Sequence, residues 1–117
     1  MAINVETSNP QGLLDAIKRK IDQKHIQTWE YDKDGDFTHS AVQWNKRAWL
    51  RPSVGLASLK LTTLPTTNGN VTTELYAIYH GRFVEMLLAH FDGLFTNAEA
   101  SAMPMGADIV TGSRVAQ

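Results

Sequence analysis

The chain contains no cysteine. Disulfides, thiol catalysis and cysteine-ligated zinc are therefore excluded, and the composition fits a reducing compartment. No apolar run approaches the ~20 residues needed to cross a bilayer. The opening residues, MAINVETSNP, carry neither the basic segment nor the apolar core of a secretory signal. A surplus of one charge is missing too: 11 basic residues against 12 acidic ones leave a formal net charge of −1. General nucleic-acid binders carry a basic surplus, so that partner class is disfavoured. Neither internal repeats nor low-complexity segments occur. Together these absences lead us to expect a soluble, cytoplasmic protein with no membrane partner.

Catalytic signatures are also lacking. There is no GxSxG elbow, Walker loop or GxGxxG fingerprint. The four histidines, His25, His39, His80 and His90, include no HxH or HxxxH pair of the kind zinc sites use. Asp32-Lys33-Asp34-Gly35-Asp36 invites a calcium reading. An EF-hand loop, however, needs glycine at its sixth position and glutamate at its twelfth. Counting from Asp32, glycine comes fourth and the twelfth residue is Gln43, so a solvated hairpin turn is the better reading. We expect no metal, no cofactor and no catalytic residue, and the reading leans away from an enzyme.

What is present is an ordinary globular composition of 117 residues, 43% of them hydrophobic, which suits one domain that needs no covalent staple. Pro10 fits the first helical position and Asn9 the N-cap before it. Leu13, Leu14, Ile17 and Ile21 then fall on one helical face, and the helix should end near Lys24 or His25. Ile26–Tyr31 alternates as a strand, with Trp29 and Tyr31 on one face. Asp34-Gly35 supplies the positive φ values of a tight primed turn, and Phe37–Ser40 returns as the second strand. Ala41–Arg47 is ambiguous, with Ser40 placed to cap one helical turn containing Val42 and Trp44. Ala48–Pro52 reads as extended and Leu56–Leu64 as a further strand. Val71–Tyr79, rich in β-branched and aromatic residues, reads as the next strand, antiparallel to it across the short loop 65–70.

A second helix is expected from about Arg82 to Phe91, with Phe83, Val84, Leu87, Leu88 and Phe91 on its apolar face. Thr96-Asn97-Ala98-Glu99 matches a capping box and would open a short third helix ending before Pro104. Residues 1–8 read as a loose lead-in or short edge strand, and 112–117 as a loose terminus. The fold class is α+β in a single domain over 1–117. An N-terminal helix, a four- to five-stranded antiparallel sheet and a C-terminal helix form a two-layer sandwich, both helices on one sheet face.

Two segments carry chemistry. The first is Tyr79-His80-Gly81-Arg82, read as a strand-to-helix corner, with Glu85 one turn on. Free N–H groups at a helix start attract anions, Gly81 would let a ligand approach, and Arg82 can hold a carboxylate or phosphate. Glu85 or His80 would then be the acid–base group. The plainer alternative is a tight corner with Arg82 and Glu85 as an i,i+3 ion pair. The second is the basic, aromatic stretch containing Trp44, Arg47, Trp49 and Arg51. It suits a protein interface, single-stranded nucleic acid, or indoles in the core with cations at the sheet edge. The chain has ten aromatic residues, three of them Trp, and three indoles do not fit easily beneath two helices. The leading expectation is therefore a small non-enzymatic binding or assembly module that pairs with itself or another protein. A sensor or enzyme for an anionic metabolite and a single-strand nucleic-acid binder are the alternatives.

Overall fold

The Asn9 side chain accepts a hydrogen bond from the Gly12 N–H at 3.0 Å, and Pro10 follows at the first helical position. Helix α1 (Pro10–Asp22) thus starts where its capping residues place it. It stops two residues early because Lys24 adopts a left-handed conformation, φ 63°. The computed structural model describes residues 2–66 and 69–102. Around α1 it places strands β1 (Ala2–Glu6), β2 (Trp29–Tyr31), β3 (Phe37–His39), β4 (Ala48–Val54), β5 (Ser58–Pro65) and β6 (Asn97–Ala100), and a long helix α2 (Thr73–Phe91). The six strands form one antiparallel sheet in the order β2-β3-β4-β5-β1-β6. The α+β class is as expected, with one strand more than the upper count. No helix among the described residues is long and apolar enough to cross a membrane.

The register defines two sheet faces. Ile3 pairs with Leu61, Val5 with Leu59, Leu50 with Thr63 and Phe37 with Leu50; all of these are buried. Leu13, Leu14 and Ile17 of α1 and Tyr79, Phe83 and Leu87 of α2 join them in one core. Both helices therefore cover this face. The opposite face carries Trp49 beside Leu64 and Arg51 beside Thr62. Trp49 and Leu64 are only 9% and 1% exposed. Asp36, fully buried, receives two hydrogen bonds from Arg51 on that face, Nε to Oδ1 at 2.9 Å and Nη2 to Oδ2 at 2.8 Å.

Three local expectations are corrected. Val71–Tyr79 is not a strand. The Thr72 hydroxyl accepts from the Leu75 N–H at 3.1 Å and opens α2, which runs unbroken to Phe91. The buried residues Leu75, Tyr76, Tyr79, Phe83, Met86 and Leu87 recur at helical spacing, and that stripe overrides the β propensity of Val71, Thr72 and Thr73. The partner of β5 is consequently β1, so residues 2–6 form an interior strand rather than a loose lead-in. Thr96 caps no helix. Its N–H and its hydroxyl both donate to the Glu6 carbonyl, at 2.9 and 3.2 Å, and the chain continues as edge strand β6. The remainder of the expected third helix and the terminus 112–117 lie outside the described residues.

The β2–β3 turn forms where expected but with different chemistry. Only Gly35 takes a positive φ, 84°. The Gly35 N–H donates to the Asp32 carbonyl at 2.9 Å and the Asp32 N–H to the Asp36 carbonyl at 3.0 Å. That is a three-residue loop closed by a left-handed glycine, not a two-residue primed turn.

Candidate functional site

The expected corner at Tyr79–Arg82 lies in the middle of α2. Backbone N–H groups there sit within the helical ladder and are not the free donors of a helix start that would hold an anion. The four residues separate by helical phase. Tyr79 and His80 point inward and are buried, while Gly81 and Arg82 are exposed. Nothing approaches within 4 Å of a Cβ built on Gly81.

His80, 3% exposed, is a closed structural site. Its Nδ1 lies 2.7 Å from the Tyr76 carbonyl. A carbonyl only accepts, so Nδ1 carries the proton. In the neutral ring Nε2 then accepts from the Thr63 hydroxyl at 3.0 Å. The ring also lies against Tyr76, centroids 3.6 Å apart. Tyr79 likewise turns inward. Its hydroxyl donates to the Trp44 carbonyl and lies 2.9 Å from the Thr38 hydroxyl.

Arg82 and Glu85 turn the other way. With Met86 and Ala89 they occupy i, i+3, i+4 and i+7 positions, one flank of α2. That flank forms one wall of a cleft enclosing about 310 Å³. The opposite wall comes from Trp29, His39 and the turn 41–44, and His90 stands at the C-terminal end of the helix wall. Arg82 Nη1 and Glu85 Oε1 are 3.5 Å apart and both side chains are largely exposed, a loose pair that leaves the guanidinium available.

The turn bearing Trp44 is pinned at several points. The Ala41 carbonyl accepts from the Trp44 and Asn45 N–H groups at 2.9 and 2.8 Å. Asn45 Nδ2 donates to the His39 carbonyl at 2.9 Å and to Glu30 Oε1 at 3.1 Å. Lys46 is left-handed, φ 59°, and its N–H donates to the Thr38 hydroxyl at 2.9 Å. One wall of the cleft is therefore built on β3 and its hydrogen bonds, the other on α2.

His39 is the residue that sequence reasoning gave no role. It is 7% exposed and stands edge-on to Trp29, ring centroids 5.1 Å apart. Its Nδ1 accepts from the Ala41 N–H at 3.1 Å. Desolvation pushes its pKa below the usual histidine value. The Arg82 charge pushes in the same direction and Glu85 opposes it. The signal was available: strand alternation puts His39 on the same face as Phe37, inside the core.

The stretch expected as an interface is dispersed. Trp44 lines the cleft, and Arg47 lies in a second, smaller hollow of about 240 Å³ beside the N-terminus of α2. Trp49 and Arg51 are on the far sheet face, Arg51 engaged with Asp36. Trp29 is in the core. The surplus of indoles that motivated self-assembly is thus largely used inside the chain. Asp32, Asp34 and Asp36 bring carboxylate oxygens within 4.8 Å of one another. Asp32 Oδ1 accepts the Asp34 and Asp36 N–H groups, each at 3.0 Å, and Asp36 holds Arg51, so the Asp32 and Asp36 carboxylates serve the turn and the ion pair. No protein-family model, curated protein or solved structure matches the chain.

Proposed function

We propose that the protein is a small binding module for an anionic metabolite with a flat apolar body, held in the cleft between α2 and the β2–β3 side of the sheet. The observation that supports this most directly is the grouping of Arg82 with the buried His39 between Trp29 and Trp44. A concave, largely apolar site with a few convergent polar groups and a titratable side chain of altered pKa is the usual form of a small-molecule site. Its volume, about 310 Å³, sits at the lower end of such sites and suits a compact metabolite. Arg82 supplies a planar, permanently charged partner for a carboxylate or phosphate. Trp44 supplies a surface on which a flat ring or chain can lie.

The test is a two-dimensional NMR titration of the intact chain with inorganic phosphate, acetate and benzoate at millimolar concentrations. The expected result is saturable shifts confined to Arg82, Glu85, His39 and the Trp44 indole, strongest for benzoate and absent in Arg82→Ala. Shifts spread over the surface, or none in this set, would remove the reading.

A further inference from the structure

A backbone amide has only a proton to offer. The Ala41 N–H lies 3.1 Å from His39 Nδ1, so that nitrogen carries a lone pair. In the neutral imidazole the proton then resides on Nε2. Nε2 has no hydrogen-bond partner among the described residues, although the residue is only 7% exposed and lines the cleft. The contrast with His80, whose two nitrogens are both engaged, is internal to the same core. Buried donors are ordinarily satisfied, and an exception in a cleft wall marks a place where a ligand atom belongs.

The surroundings keep the ring in this state. Trp29 and Tyr79 flank it edge-on, with ring centroids 5.1 and 6.4 Å away. Arg82 and Glu85 act on it with opposite sign, and His90 is the other titratable group on the cleft wall. A second proton would have to displace the Ala41 N–H from Nδ1. His39 therefore meets a ligand as a fixed donor, and as neither a base nor a cation.

We propose that His39 makes the cleft selective among flat anions. It favours those with a hydrogen-bond acceptor, a carbonyl oxygen or pyridine-type nitrogen, at the end remote from the anionic group held by Arg82. This inference rests on the anion-binding reading above and specifies its ligand class. A donor group at the same position meets the Nε2–H proton to proton. A plain hydrocarbon edge leaves that donor unpaired. Sites built around a buried polar group reject analogues lacking its complement more sharply than apolar pockets reject a change of size.

Two measurements on the intact chain test this. The first needs no ligand: long-range proton–nitrogen spectra of the histidine rings at neutral pH, with His39 identified by its loss in His39→Gln. The Nε2–H tautomer is expected. An Nδ1–H tautomer or an imidazolium overturns the proposal. The second compares nicotinate and isonicotinate with benzoate and with meta- and para-aminobenzoate. These share a ring and a carboxylate and differ in presenting an acceptor, nothing or a donor. One pyridine acid should bind roughly fivefold tighter than benzoate, the worth of about one net hydrogen bond, with the aminobenzoates weakest. The order should flatten in both His39→Phe and His39→Gln. Binding of the whole set with equal affinity, or an order that survives in both variants, overturns the selectivity and leaves the anion site standing. Failure of every compound to bind, with the tautomer as expected, overturns the anion site and the selectivity with it.

Discussion

His80 and His39 occupy two regions of one core and look alike by composition. Each is almost fully buried and each touches aromatic rings; His80 belongs to α2 and His39 to β3. They differ in what their nitrogens meet. His80 is locked between the Tyr76 carbonyl one turn back and the Thr63 hydroxyl on β5, so it joins helix to sheet. His39 spends one nitrogen on the Ala41 N–H and lines the cleft, with no partner for the other among the described residues. Burial of a polar group does not by itself distinguish a structural residue from a recognition residue. The count of satisfied donors and acceptors does.

The largest test of this contrast is to remove each ring. His80→Leu removes both hydrogen bonds of the ring, to the Tyr76 carbonyl and from the Thr63 hydroxyl, and should cost about 2 kcal/mol, the worth of two net hydrogen bonds. His39→Leu gives up one hydrogen bond at the rim and should cost about 1 kcal/mol. Urea unfolding of the two variants checks the ranking. Equal losses would erase the distinction between the two regions.

A smaller effect is expected one residue from His80. Gly81 lies mid-helix with open space around its Cα, so Gly81→Ala should raise stability by about 1 kcal/mol through helix propensity. It should leave benzoate binding unchanged, because Gly81 is not among the residues lining the cleft. Weaker binding in this variant would give Gly81 itself a part in the site. Thermal unfolding and the same titration report both quantities.

The smallest effect is a pH dependence that belongs to the His39 region. The folded-state pKa of His39 is lowered, mainly by burial, from the ordinary value of 6.5. Above that value both folded and unfolded chains carry the neutral ring, and it adds no slope. As pH falls below it, the unfolded chain takes up the proton first, so stability declines until the folded pKa is passed. Unfolding free energies measured between neutral and mildly acidic pH should fall less steeply in His39→Leu. Parallel curves for parent and variant would exclude His39 as the source.

Much of the fold was legible because its signals are local. The Asn9-Pro10 cap, the Trp29/Tyr31 alternation and the Asp34-Gly35 break each specify their own element. The misreadings arise where local preference and long-range packing disagree. Val71-Thr72-Thr73 favours strand, yet the apolar stripe that continues through Tyr79 to Leu87 must lie on the sheet as a helix. Thr96–Glu99 has the composition of a capping box, yet Glu6, ninety positions earlier, offers Thr96 a carbonyl. The site divides the same way. Arg82, Glu85 and Trp44 carry visible chemistry, and the fold brings all three to one cleft. His39 acquires its role only from β2–β3 pairing and from the turn that aims the Ala41 N–H at its ring.

The position of β1 has a kinetic consequence. Its two neighbours in the sheet are β5 and β6, so its pairings with Leu59, Leu61, Ala98 and Ala100 close loops of more than fifty and more than ninety residues. Closure over such separations is slow compared with forming a helix or a hairpin. During synthesis β1 is made before either neighbour, and its alternating Ile3 and Val5 wait for Leu61 and Leu59 of β5, more than fifty residues on. The β2–β3 hairpin and α1 can form early from local contacts. Pairing of β1 requires β5, and β6 adds at the edge beyond it; apolar strands that wait for distant partners are the segments most exposed to aggregation during folding.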